Sequence, residues 1–130
     1  MESTLRQSLI DWLSADPLLS ASLNAITEET PSRASPPWLA IGTSASADWS
    51  TKERRGREVR MALELQMRAE DQGEAAAIAG LIEDRIEALP PDQPGYRIIT
   101  TQFLRARAEQ RAGNLRSVLI EYRFRLLENA

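Results

Sequence analysis

The sequence predicts an α+β fold. We expect a mostly antiparallel four-stranded sheet with helices packed on one face, in the order ααββαββ. Three patterns predict it. Val59, Met61, Leu63, Leu65 and Met67 alternate with Glu58, Arg60, Glu64, Gln66 and Arg68, and only Ala62 breaks the two-residue period. Successive strand side chains point to opposite faces, so this segment is a long strand with one dry and one wet face. Ile78, Leu81, Ile82, Ile86 and Leu89 instead recur at helical spacing, with Glu83, Asp84, Arg85 and Glu87 mostly opposite. Val118, Ile120, Tyr122, Phe124 and Leu126 alternate again, against Glu121, Arg123 and Arg125. A half-dry sheet must bury its apolar face under another layer, and the amphipathic helices supply that layer.

The elements follow in order. Leu5, Leu9, Trp12 and Leu13 form one apolar stripe, which predicts a helix over residues 4–14 with Ser3 or Thr4 as its cap. Asp16-Pro17 restarts the chain, since Asp caps well and Pro suits a first helical position; Leu18, Leu19 and Leu23 then mark a short second helix. Residues 27–37, with Pro31, Pro36 and Pro37, carry no period and read as a loop. Trp38–Thr43 is a short apolar strand starting behind two prolines, and Gly42 suggests a bulge or a close contact within it. Residues 44–56 are small, polar and charged, and read as the longest connection. The long strand spans about Arg57–Arg68, and Asp71-Gln72-Gly73 ends it. The central helix follows, favoured by Ala75-Ala76-Ala77 and stopped by Pro90-Pro91. Asp92-Gln93-Pro94-Gly95 is a turn, Tyr96–Arg107 is a strand rich in β-branched and aromatic residues, and Ala112-Gly113-Asn114 turns the chain into the last strand. There is no internal repeat.

Composition bounds the functional classes. At 130 residues the chain is the size of one domain, residues 1–130. Its 42% hydrophobic and 27% charged content is that of a folded protein. With only 5% aromatics, the core must be built mainly from Leu, Ile, Val, Ala and Met. The formal charge of −3 differs from the net positive charge usual for a domain that grips duplex DNA. There is no cysteine and hence no disulfide framework, thiolate nucleophile or cysteine metal site. No apolar run approaches the ~20 residues of a membrane helix, so no membrane is expected as a partner. Glu2 and Arg6 lie inside an amphipathic start that does not resemble a secretion signal.

Local chemistry points away from catalysis. The chain has no histidine, which removes the commonest general base and metal ligand. Its six glycines are scattered and form no phosphate loop. The Glu28-Glu29 pair and the cluster Glu83, Asp84 and Glu87 are expected to be solvated rather than catalytic or metal-binding. We therefore expect no enzyme, no cofactor and no metal. The one surface constellation of interest is Trp49 with Lys52, Arg54, Arg55 and Arg57, four cations and an indole on a loop feeding the long strand. It suits contact with an acidic partner, a neighbouring subunit or a nucleic acid backbone. Glu53 and Glu58 interleave, so part of the run is open to self-pairing. Trp12 and Trp38 are expected to pack. Arg105, Arg107, Arg111, Arg116, Arg123 and Arg125 are expected on a solvated sheet face opposite Glu109 and Glu121, a face that is also available to a neighbouring subunit.

The order of these pieces resembles the tail-completion, or tail-terminator, family of long-tailed bacteriophages and gene transfer agents. The carriers are Leu5-Arg-Gln-Ser-Leu-Ile-Asp-Trp-Leu13 with Ala15-Asp-Pro-Leu-Leu19 for the two opening helices, and Pro37-Trp-Leu-Ala-Ile-Gly42 for the first strand. Asp48-Trp-Ser-Thr-Lys52 and Gly56-Arg-Glu58 match the loop and second strand, Gly73-Glu-Ala75 with Ile78-Ala79 and Leu89 the central helix, and Val118–Phe124 the last strand. Residues 27–36 lack the strand that relatives show there. The resemblance implies a virion protein of the tail or neck, assembled in the bacterial host cytoplasm, that forms a hexameric ring. The ring ends the tail-tube stack, fixes tail length and joins the head connector or stopper protein, while DNA passes through its lumen without specific binding. It implies no enzymatic activity. Two alternatives stand beside it: another neck component, such as a head-completion or stopper protein, and a small nucleic-acid-binding protein using Lys52, Arg54, Arg55 and Arg57.

Overall fold

The computed structural model describes residues 1–130. The chain forms α1 (Glu2–Ser14), α2 (Pro17–Ser22), β1 (Ala25–Thr27), β2 (Trp38–Asp48), β3 (Gly56–Arg68), α3 (Gln72–Glu87), β4 (Asp92–Gln93), β5 (Tyr96–Arg111) and β6 (Leu115–Glu128). The α+β class is as expected, but the sheet has six strands, not four, in the order β1-β2-β3-β6-β5-β4. The inner four are the predicted strands. The two additions lie at the margins and are too short to carry a period in sequence.

β1 pairs parallel with the start of β2, Ala25–Thr27 against Trp38–Ala40. Asn24 ties it down: its backbone N–H donates to the Pro37 carbonyl at 2.8 Å and its side-chain amide donates to the Ser35 carbonyl at 2.8 Å. β4 pairs with the first residues of β5, Asp92 with Arg97 and Gln93 with Tyr96. Pro94 and Gly95 close that hairpin, with Gly95 at φ 87°, a conformation that favours glycine. The other pairings are antiparallel.

The long strand is as read. Val59, Met61, Leu63, Leu65 and Met67 are all buried, and they meet Leu39, Ile41, Ile120, Tyr122, Phe124 and Leu126 of neighbouring strands in one core. Leu5, Leu9 and Leu13 of α1, Leu19 of α2, and Ile78, Ile82 and Ile86 of α3 close it from the helix side. At roughly 1.5–3 kcal/mol per large aliphatic side chain, this burial is the main force holding the layers together. Trp12 packs against the core while its indole N–H donates to the Arg85 carbonyl at 2.7 Å. The Arg85 guanidinium returns a bond to the Trp12 carbonyl at 2.9 Å and lies 3.5 Å from the ring centre. Trp38 is buried, as expected of a packing residue.

Several boundaries differ from the sequence reading. β2 continues through residues 44–48, pairing Ser44 with Met61 and Asp48 with Arg57, so the connection shrinks to residues 49–55. Ladder bonds offered by β3 outweigh the weak strand propensity of Ser, Ala and Asp. The bulge expected near Gly42 is present as a register shift between Ile41 and Thr43. α1 begins at Glu2 with Met1 as its N-cap, not at Ser3 or Thr4. α2 is capped as predicted, the Asp16 carboxylate accepting from the Leu18 N–H at 3.0 Å. α3 begins at Gln72, so Gly73 lies in its first turn instead of in a strand break. β5 and β6 form a hairpin paired from Tyr96–Glu128 to Arg111–Leu115, closed at residues 112–114 with Gly113 at φ 78° and Asn114 at φ 60°.

Candidate assembly surface

The basic residues singled out in sequence lie on or beside the turn between β2 and β3. That turn is built by its own hydrogen bonds. The Trp49 N–H donates to the Gly56 carbonyl at 3.0 Å, and the Gly56 N–H donates to Ser50 Oγ at 3.0 Å. Thr51 Oγ1 accepts from the Arg54 N–H at 3.0 Å, and the Thr51 N–H donates to the Arg54 carbonyl at 2.9 Å. The Glu128 N–H donates to the Arg55 carbonyl at 2.8 Å, tying the turn to the end of β6. Gly56 is the pivot. A Cβ there would lie 2.2 Å from the Trp49 carbonyl oxygen and 2.7 Å from that of Leu126, so no larger residue fits without moving backbone.

The result is a braced platform presenting cations. Lys52, Arg54, Arg55 and Arg57 are all exposed, and none forms a salt bridge. The self-pairing weighed from sequence does not occur. Glu58 turns instead to β6, with Arg125 Nε at 3.1 Å and Arg123 Nε at 3.7 Å. Arg57 donates only to Ser46 Oγ, at 3.3 Å. Trp49 is half-buried with the Arg125 guanidinium 5.5 Å from its ring centre, so the indole braces the turn against β6 more than it projects from it.

The sheet face away from the helices is also charged, but it is largely paired within the chain. Arg105 pairs with Glu121, and Arg107 with Glu109 at 3.3 Å. Arg111 reaches both Glu64 and Glu109 at 3.3 Å. Exposed pairs of this kind contribute little stability, typically ~0–1 kcal/mol each. They do fix the direction of the arginines, but Arg123 and Arg125 share Glu58 and exposed Arg60 has no salt bridge, so the face keeps an excess of positive charge. Beneath them Ser117 Oγ donates to Gln66 Oε1 at 3.1 Å, a buried polar pair that the sequence reading did not find. Arg116 departs from the expected row: it is paired with Met67 in register, and lines a hollow between α3 and β5 with Ala75, Ala79 and Ala106.

The acidic cluster on α3 is partly engaged. The buried Tyr122 hydroxyl donates to Glu87 Oε2 at 3.0 Å, and burial, followed by that carboxylate, pushes the phenol well above its usual range. Burial, followed by Glu87 and Asp84, raises the Glu83 carboxyl. A polar cleft of about 680 Å³ runs between α1, the β2–β3 turn and the start of β5, and only two of its eleven lining residues are hydrophobic. Such a lining does not suit an apolar small molecule. No helix is long and apolar enough to cross a membrane.

The family model described as tail completion protein gp17 matches residues 7–127, nearly the whole chain. No curated protein sequence matches. Among solved structures, a chain from the virion of a native gene transfer agent particle superimposes with a TM-score of 0.80 at 21% identity, over 97% of this chain and 96% of that one. At that identity the superposition speaks for the fold.

Proposed function

The chain belongs to the tail completion protein family, and from that membership we propose that it ends the tail tube as a ring of identical subunits, fixes tail length and offers the surface that joins the head connector. Each subunit is a single domain, residues 1–130. The proposed role is structural and non-catalytic, with six copies per ring, a place at the tail–neck junction of the particle, and assembly in the bacterial host cytoplasm. DNA crosses the lumen without specific binding, a reading supported by the net charge of −3. The fold shared with a gene transfer agent virion chain supports assignment to a particle of that general kind.

The observation that carries the contact surface is the braced turn. Trp49 is anchored, and Lys52, Arg54, Arg55 and Arg57 stand exposed without a carboxylate partner. Cations presented from a turn whose backbone is braced suit an acidic surface on a neighbouring subunit or particle component. The double variant Arg54→Glu with Arg55→Glu changes only exposed groups, so it should melt within about 0.5 kcal/mol of the parent. It should nonetheless fail to cap purified tail tubes in electron micrographs. Normal tail lengths and normal infectivity or gene transfer with this variant would remove the turn from the interface. Co-assembly with tube protein rather than connector protein separates a terminator from a stopper.

A further inference from the structure

We infer that neighbouring copies join edge to edge, the outer margin of β2 in one subunit adding antiparallel to the outer margin of β5 in the next. The inference rests on the ring reading above and specifies how such a ring closes. Each edge of the sheet is only partly covered by its own chain. β1 pairs with residues 38–40 of β2, leaving Thr43–Asp48 open. β4 pairs with Tyr96 and Arg97 of β5, and the Ile98 N–H donates to the Pro91 carbonyl at 2.8 Å, leaving the strand beyond Ile98 open.

The covers lie at opposite ends of the sheet. Following register across the strands, Thr43 is level with Ala62, Glu121 and Arg105; Ala45 with Arg60, Arg123 and Gln102; and Ala47 with Glu58, Arg125 and Thr100. The open part of β2 is thus level with an open part of β5, and neither cover stands between two copies placed side by side. Strand direction also permits the join. β2 and β6 run one way, β3 and β5 the other, so β5 meets the next β2 antiparallel while every copy keeps its helices on the same side. That contact is heterologous, the type that closes into rings.

The two margins differ in chemistry as partners should. Thr43-Ser44-Ala45-Ser46-Ala47 carries no charge and no proline, the devices that normally guard an open edge against strand addition. The β5 margin carries Ile99 at 47% exposure and Phe103 at 38%, two of the three large hydrophobic residues left open on this chain. Long side chains of β5 (Gln102, Arg105) would lie over the small ones of β2.

The chain has no cysteine, which makes the test clean. Ala45→Cys would be combined in turn with Thr100→Cys, Gln102→Cys, Arg105→Cys or Arg107→Cys, spanning the registers that ring curvature can impose. Within one subunit these positions are three strands apart, roughly 14 Å, beyond the ~7 Å limit for a disulfide. A bond must therefore link two copies. The reduced variants would be assembled on purified tail tubes, imaged, oxidised and run on a denaturing gel. At least one pair should give a covalent ladder extending past the dimer, and the single variants none. Rings on the tube ends with no ladder from any pair would overturn the strand join and leave the ring intact. Cross-linking that stops at dimers would equally overturn it. Failure of the unmodified protein to form rings would overturn both readings.

Discussion

Gly56 shows how one residue sets the candidate surface. Its missing Cβ lets the Trp49 and Leu126 carbonyls close on the same point, and the turn that carries the cations folds back from there. Gly56→Ala forces backbone to move at a packed site, so it should cost roughly 2 kcal/mol in denaturant unfolding. Its effect on assembly should exceed that of an equal destabilisation placed elsewhere, because the four cations lose their common platform. An unchanged melting midpoint would show that the turn relaxes freely. The glycine stands out in sequence only as the last residue before a strand. The Trp49 carbonyl comes from the same turn, but Leu126 and Leu127 come from the end of β6, some seventy residues away, and no local pattern reveals that part of the crowding.

At the scale of elements, β3 is the member on which the sheet depends. Leu63 is fully buried, paired between Ile41 and Ile120. Leu63→Asp places an unpartnered carboxylate there and should abolish cooperative folding, since such a change costs more than ~4 kcal/mol. A soluble variant with a sharp melt would mean that the faces are reversed. The seam between α1 and β2 is polar by contrast. Ser44 Oγ donates to Glu2 Oε2 at 2.5 Å and accepts from Arg6 Nη1 at 2.9 Å. The Ser44 bond, then Ser46 and the charges of Arg6 and Arg57, hold the Glu2 carboxyl below its ordinary 4.5 despite opposing burial. A depressed folded pKa contributes stability that is complete above the unfolded value and lost as pH falls through the folded one. Stability should therefore drop below about pH 4.5, and Glu2→Gln should lose less on that acid limb. Glu83 has the opposite sign. Its carboxyl is raised, so its contribution fades as pH rises, and Glu83→Gln should be neutral or stabilising at pH 7. Melts at a series of pH values check both.

Over the whole molecule, burial is graded along the β5–β6 hairpin. Near Tyr96 and Leu126 it is covered by helices and buried. Towards Arg111 most β5 residues are exposed, leaving an arm with little apolar cover. Amides in β3 and in residues 120–126 should exchange slowest with solvent, and those near residues 105–114 fastest. Uniform protection along the hairpin in the isolated chain would show that the arm is held by something other than burial. An open outer margin on β5 is what a subunit needs if a neighbour completes its sheet.

The helix stripes, the dry and wet faces of β3 and β6, the Asp16 cap and the hairpin turn at Gly113 are legible in the order of residues alone. These follow from side-chain periodicity and backbone preference, which act over a few residues. The members of the cationic group are legible there too, because charge is a property of the side chain. The remaining features depend on contacts between segments far apart in the chain. β1, β4 and the second half of β2 exist only because an adjoining strand offers ladder bonds, and Ala-Ile-Thr or Ser-Ala-Ser has no period long enough to announce that. Only the fold sent Glu58 to Arg123 and Arg125, left Lys52, Arg54, Arg55 and Arg57 unpaired, and set the open margins of β2 and β5 level with each other. Pairing across a sheet joins residues far apart in the chain, and that information resides in the three-dimensional arrangement alone.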